Sequence, residues 1–173
     1  MSRRGTTTAL SLLVVSAAWA ADTSGSIGEF GLVLDAGGKW SKQQRDDPSL
    51  AVYRGQDGRE QITLSFFPFK SKIDSKERRD TVARLVEHRQ AAERRGMDGK
   101  ATFGPVKNLD RDGLSISFYC GVDQASGQPF ATMVLASQES AWTLFYETVE
   151  RTPKSFCARA ETMFSSIRRA VKR

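Results

Sequence analysis

Only a few side chains in this chain of 173 residues have the types and spacing that chemistry requires. Cys120 and Cys157 are its two cysteines, and they lack the Cys-x-x-Cys spacing of a redox-active pair. They either close one disulfide or remain two reduced, buried small hydrophobes. His88 is the single histidine, so any Ser-His-Asp or Cys-His scheme must use it, and no Gly-x-Ser-x-Gly elbow is there to partner it. Flanked by Glu87 and Arg89 and one helical turn from Arg84, it reads as a solvated helix position. One imidazole and two paired thiols are too few ligands for tetrahedral zinc. Asn108-Leu109-Asp110-Arg111-Asp112-Gly113 matches the first half of an EF-hand calcium loop. Its twelfth position, however, is Tyr119, where the loop needs a bidentate Glu, and its flanks read as strands. A hairpin turn uses the same Asp and Gly for their backbone preferences. Asp46 and Asp47 sit in a polar loop, and Gly37-Gly38 lacks the spacing and following helix of a phosphate loop. No catalytic residue, metal site or cofactor is expected.

The start of the chain bears on how the cysteines behave. Arg3 and Arg4, the apolar run Ala9–Ala18 and the small residues Ala18, Ala20 and Ala21 have the layout of a secretory signal peptide over residues 1–20. The apolar run is too short to anchor the chain in a bilayer. Ser2-Arg3-Arg4 resembles a twin-arginine signal, but Gly5-Thr6-Thr7-Thr8 follows where larger apolar residues normally stand, which favours the general secretory route. No cysteine lies at the cleavage point to carry a lipid. The mature residues 21–173 are therefore expected in the periplasm or outside the cell, as one domain. In that compartment an even cysteine count argues for a Cys120–Cys157 disulfide. Leu114, Ile116, Phe118, Cys120 and Val122 alternate with smaller or polar residues, which puts Cys120 on the apolar face of a strand, while Cys157 lies beside Phe156 at the start of a helix.

Turn signals at 56–58, 110–113, 126–128 and 138–140 separate segments rich in β-branched and aromatic residues. They predict strands near 30–34, 50–54, 60–68, 101–109, 114–123, 129–137 and 141–149, and the short turns imply antiparallel neighbours. One helix is predicted from about 75 to 95, capped by Asp74 with Glu77, ended by Gly96, and carrying a thin apolar face of Val82, Leu85, Val86 and Ala92. A second starts at Thr152-Pro153 and carries Phe156, Ala160, Met163, Phe164, Ile167 and Val171 at spacings of three and four. Ile62, Leu64 and Phe66 oppose Phe67 and Phe69, and Trp142, Leu144 and Tyr146 oppose Phe145 and Val149, so the sheet is expected to be covered on both faces. This is an α+β chain: an α/β/α sandwich with a mostly antiparallel sheet and a helix on each side.

The element order resembles the PsbP-like and DcrB-like α/β/α sandwich family. The matching features are Phe30-Gly31-Leu32-Val33-Leu34 followed by Gly37-Gly38-Lys39-Trp40, then strands, a central helix, a four-strand meander and a terminal helix ending Met163-Phe164-Ser165-Ser166-Ile167. No catalytic motif comes with the resemblance. It implies a small exported or assembly-related protein that binds other proteins.

Charge is unevenly placed. The formal total is +6, which falls to +4 without Arg3 and Arg4. Residues 70–100 hold ten basic against six acidic side chains and residues 153–173 six against one, whereas 21–69 with 101–152 hold eight against thirteen. The helical segments are thus positive and the rest is negative. Arg78, Arg84, Arg89, Arg95, Arg168 and Arg169 form a candidate surface for an anionic partner: an acidic protein, lipid head groups or a polyanion. The competing explanation is that Arg168, Arg169, Lys172 and Arg173 complement the dipole of the last helix, while Arg78, Arg84, Arg89 and Arg95 form a solvated face tempered by pairs such as Asp80 with Arg84. Export and the absence of aromatics among the basic helix residues argue against nucleic acid. The expected role is a periplasmic accessory or inhibitor-type binding protein. The alternatives are a small-ligand or lipid carrier, with a pocket lined by Phe66, Trp142 and Met163, and an unrecognised hydrolase.

Overall fold

The computed structural model describes residues 22–149 and 153–170; the signal-peptide reading with Ala18, Ala20 and Ala21 lies outside them. The elements run β1 (Asp22–Glu29), β2 (Leu32–Gln43), β3 (Leu50–Gly55), β4 (Glu60–Pro68), α1 (Ser75–Gly96) and β5 (Ala101–Phe103). They continue with β6 (Lys107–Arg111), β7 (Leu114–Asp123), β8 (Gln128–Ala136), β9 (Ser140–Thr148), α2 (Pro153–Ser165) and β10 (Arg168–Arg169). Among the described residues all strands join one antiparallel sheet of order β1-β2-β3-β4-β9-β8-β7-β5, with β6 also on β7 and β10 on β2.

The two helices cover opposite faces. Leu114, Ile116 and Phe118 of β7 pack with Phe156, Ala160, Met163 and Phe164 of α2. The alternate residue Tyr119 packs with Val82 and Val86 of α1. This is the expected α/β/α sandwich, with one qualification. The helix α1 packs on β5, β7 and β8 but leaves the corresponding face of β4 open. Phe67 and Val149, predicted to lie on a covered face, are accordingly 43% and 56% exposed.

At its start α1 carries the predicted capping box: Glu77 N–H donates to Asp74 Oδ1 and Asp74 N–H to Glu77 Oε2, each at 2.8 Å. Its end corrects the sequence reading. Gly96 is the last helical residue, and the left-handed backbone that turns the chain falls on Asp98 and Gly99, with φ of 50° and 77°.

Three other predictions are corrected. The predicted first strand at 30–34 begins too late in one respect and too early in another: Phe30 and Gly31 form a two-residue hairpin loop with φ of 51° and 76° between β1 and β2. A phenylalanine tolerates this backbone because its surroundings hold it. Its ring stacks on Phe66 at 5.3 Å, and its carbonyl accepts Trp142 Nε1–H at 3.1 Å. The predicted strand 101–109 is two strands. Phe103 faces Gly121 but Lys107 faces Phe118, so one extra residue bulges out around Pro105, which has no N–H for the ladder. The last helix stops at Ser165 rather than continuing to Val171, which lies outside the described residues. Ser165 and Ser166 hydroxyls donate to the carbonyls of Thr162 and Met163 at 2.7 and 2.6 Å, and the chain turns so that Arg168 and Arg169 pair with Val33 and Leu32 of β2. Ile167 stays buried, which is why the apolar spacing ran on past the helix.

The β1–β2 ribbon is folded back on itself. Lys42 Nζ reaches Glu29 Oε2 at 2.5 Å although Glu29 pairs with Leu32, ten positions earlier on β2. A straight strand would separate those positions by about 33 Å. The bend falls at Gly37 and Gly38, with φ of 65° and 63°.

Gly121 is required for packing. A Cβ there would lie 2.2 Å from the buried ring of Phe130, which is itself held by Phe103 and Phe145. Gly121→Ala is expected to cost about 3 kcal/mol, read as a lowered urea midpoint at unchanged slope.

Candidate functional site

The two cysteines are joined. Cys120 of β7 and Cys157 in the first turns of α2 form a disulfide with Cα atoms 6.0 Å apart, fastening the helix to the sheet. That closes both thiols to chemistry in the oxidised protein.

The other chemically suggestive residues resolve into structural roles. His88 is exposed on α1. Asp47 Oδ1 accepts the N–H and hydroxyl of Ser49 at 2.8 and 2.6 Å, the turn role that a polar-loop aspartate performs. These bonds hold its carboxyl below the usual range. Asp46 is exposed beside it. The calcium-like segment is a hairpin: Asp112 and Gly113, with φ of 51° and 74°, form the loop between β6 and β7. Asp110 accepts the Ser115 hydroxyl at 2.6 Å and lies 3.4 Å from Arg79, which together hold its carboxyl low. Among the described residues no group of three or more His, Cys, Asp or Glu is placed to hold a metal ion.

One charged residue is buried at a position whose side-chain type predicts exposure. Glu93, 6% exposed, lies on the sheet-facing side of α1. Tyr119 Oη donates to its Oε2 at 2.8 Å, Thr132 Oγ1 to its Oε1 at 2.7 Å, and Arg89 Nη2 lies 3.3 Å from that same oxygen. Loss of water pushes its carboxyl above the usual range, against the pull of those donors. Burial also drives the Tyr119 hydroxyl far upward, with the neighbouring carboxylate adding to it. The signal was present in the helical period, because Glu93 falls on the same face as Val82 and Val86.

A cleft of about 920 Å³ lies between α2 and the glycine bend of β2. Trp40, Tyr146 and Met163 form its apolar side; Asp35, Glu60 and Arg159 are at its polar side. Much of that polarity is already satisfied: Asp35 pairs with Arg168 at 3.2 Å, and Glu60 accepts the Tyr146 hydroxyl at 2.6 Å and lies 3.3 Å from Arg159. The predicted carrier pocket is not assembled as expected. Met163 lines this cleft, whereas Phe66 and Trp142 are packed against each other and Phe30.

The six candidate arginines separate. Arg89 turns to Glu93 and stacks over Phe145 at 5.4 Å, so it belongs to the packing under α1. Arg78 is half-buried, with an Nε that has no hydrogen-bond partner. Arg168 and Arg169 lie on β10 beside β2 and are not at a helix end. Arg84 and Arg95 are exposed on α1, eleven residues apart and on one outward stripe about 16 Å long. Other bases of α1 are engaged: Lys76 with Asp80 at 2.8 Å, Arg79 with Asp110, and Arg94 over the Phe103 ring at 4.9 Å. Among the described residues no carboxylate pairs with Arg84 or Arg95.

No protein-family model and no curated protein matches the chain in sequence. The architecture does match a solved structure. Cyanobacterial PsbP (CyanoP) from Synechocystis sp. PCC 6803, determined in solution, aligns with a TM-score of 0.60, covering 92% of this chain and 97% of that one at 14% identity. The chain has a PsbP-like fold. The PsbP-like sandwich thus extends over nearly all of the chain, as the element order implied. Among the described residues no helix is long and apolar enough to cross a membrane.

Proposed function

We propose that this PsbP-like protein is an exported, non-enzymatic accessory protein of the periplasm or extracellular space, which works by binding an acidic partner protein. The observation that carries the reading is the outward stripe of α1, where Arg84 and Arg95 stand exposed while neighbouring bases are neutralised. Arg84, whose Nε–H donates to the Asp80 carbonyl at 3.4 Å, and Arg95 are exposed cations of the kind that steers an anionic surface into contact. The disulfide supports export, since such bonds persist in oxidising compartments.

Affinity capture from periplasmic extract tests this. The wild-type protein is expected to retain an acidic protein that elutes as salt rises, and the Arg84→Glu/Arg95→Glu variant to retain about tenfold less. A wild-type protein that holds nothing above background contradicts the reading, as does equal retention by the variant.

A further inference from the structure

We propose that Asp112-Gly113, the turn between β6 and β7, is a site of spontaneous backbone modification at which the aspartate isomerises through a cyclic succinimide to isoaspartate. The ring closes when the amide nitrogen that follows an aspartate reaches the side-chain Cγ. Glycine hinders that approach least, because it carries no Cβ. The chain holds three such pairs, Asp57-Gly58, Asp98-Gly99 and Asp112-Gly113. As dipeptides they are equivalent, and the fold separates them.

In the first two pairs the attacking nitrogen is already engaged. Gly58 N–H donates to the Gly55 carbonyl at 2.9 Å, and Asp57 Oδ1 accepts the Arg59 N–H at 3.0 Å. Gly99 N–H donates to the Arg94 carbonyl at 2.7 Å, just past the end of α1. Attack at either place requires the turn to open first. The third pair has no such restraint. Among the described residues no acceptor meets the Gly113 N–H. The Asp112 side chain is 80% exposed, and its ion-pair contact with Arg111 Nε is 3.9 Å long, beyond hydrogen-bond reach.

The reaction needs no partner other than water. The Gly113 nitrogen bonds to Asp112 Cγ, and the nitrogen's proton leaves with the carboxyl hydroxyl as water. Water then adds back at one of the two ring carbonyls. Addition at Cγ breaks the new bond and restores aspartate. Addition at the main-chain carbonyl breaks the original peptide bond instead, so the chain runs through Cγ and the α-carboxylate becomes the side group.

Isoaspartate thus inserts one methylene into a two-residue loop whose left-handed backbone, with φ of 51° and 74°, matches the twist of β6 and β7. The misfit falls on the Arg111–Leu114 pair that closes the loop. Arg111 also holds the end of α2, donating to the carbonyls of Ser165 and Ile167 at 2.8 and 2.7 Å. One modified residue therefore loosens β6 and the end of α2 together.

The full chain, aged in neutral buffer both folded and in urea, tests this when peptide mass spectrometry and an isoaspartate-specific carboxyl methyltransferase locate the product. In the folded protein isoaspartate is expected to accumulate about tenfold faster at Asp112 than at Asp57 or Asp98, the protection that one hydrogen bond confers, and in urea the three rates should converge. In the modified folded fraction the amides of 107–111 and 165–167 are expected to exchange about tenfold faster than in fresh protein. Equal accumulation at the three sites of the folded chain overturns the proposal. So does accumulation led by Asp57 or Asp98, or none at Asp112 while the unfolded chain forms it. Unchanged exchange at 165–167 in the modified fraction overturns the coupling to α2.

Discussion

Glu93→Ala is expected to lower folding stability by about 3–5 kcal/mol, whereas Glu93→Gln is expected to be close to neutral. The alanine removes the acceptor shared by Tyr119, Thr132 and Arg89, leaving the two hydroxyls as buried donors without a partner. Glutamine keeps the size and an acceptor oxygen, and both hydroxyls can rotate to suit its amide. The comparison with pH has a definite sign. Because burial raises the carboxyl of Glu93 above its unfolded value, the stability it contributes is full below the unfolded value and is lost as pH rises through the folded one. Glu93→Gln is therefore expected to gain on the wild type as pH rises from the ordinary carboxyl range. Urea midpoints of both proteins across that range check it; a glutamine variant that loses ground as pH rises would contradict the assignment.

Breaking the Cys120–Cys157 bond is expected to remove about 3–4 kcal/mol, because the two residues are 37 apart and the cross-link confines a loop of that size in the unfolded chain. In a domain of this size the melting temperature should fall by about 10 °C. Both cysteines are partly buried against the α2-side core, and Cys157→Ser should behave like the reduced wild type. Thermal melts with and without reductant, on both proteins, make the comparison. A wild-type melt that reductant leaves unchanged would show that the bond contributes nothing.

These two features were unequally legible in the sequence. The disulfide could be read because Cys120 keeps step with Leu114, Ile116 and Phe118, and Cys157 adjoins Phe156, so local periodicity put both sulfurs on one apolar layer. Glu93 could not, because a charge in a basic helix reads as solvated. Its burial depends on Tyr119 and Thr132, which only the register of β7 with β8 brings side by side. The same contrast holds for the elements. The capping box at Asp74 and Glu77 is local and was found. Strand β1 was missed because Ser24, Gly25 and Ser26 carry no strand signal, and its order comes from pairing with β2. The end of α2 was overrun because Ile167 continues the apolar spacing. What stops the helix is a pair of serine hydroxyls and an open backbone row on β2 far away in sequence. The arginine surface was legible as composition and illegible as geometry: Arg89 was claimed by a buried carboxylate and Arg168 by Asp35, leaving Arg84 and Arg95 as the outward pair on α1.

The central claim is that this protein meets an acidic partner through the exposed arginines of α1. Association kinetics of the captured partner, at two ionic strengths, test it most directly. The wild type is expected to associate about tenfold more slowly at high salt, and Arg84→Glu/Arg95→Glu to be slow at low salt and nearly insensitive to salt thereafter. Indistinguishable rates and salt profiles for the two proteins would contradict it.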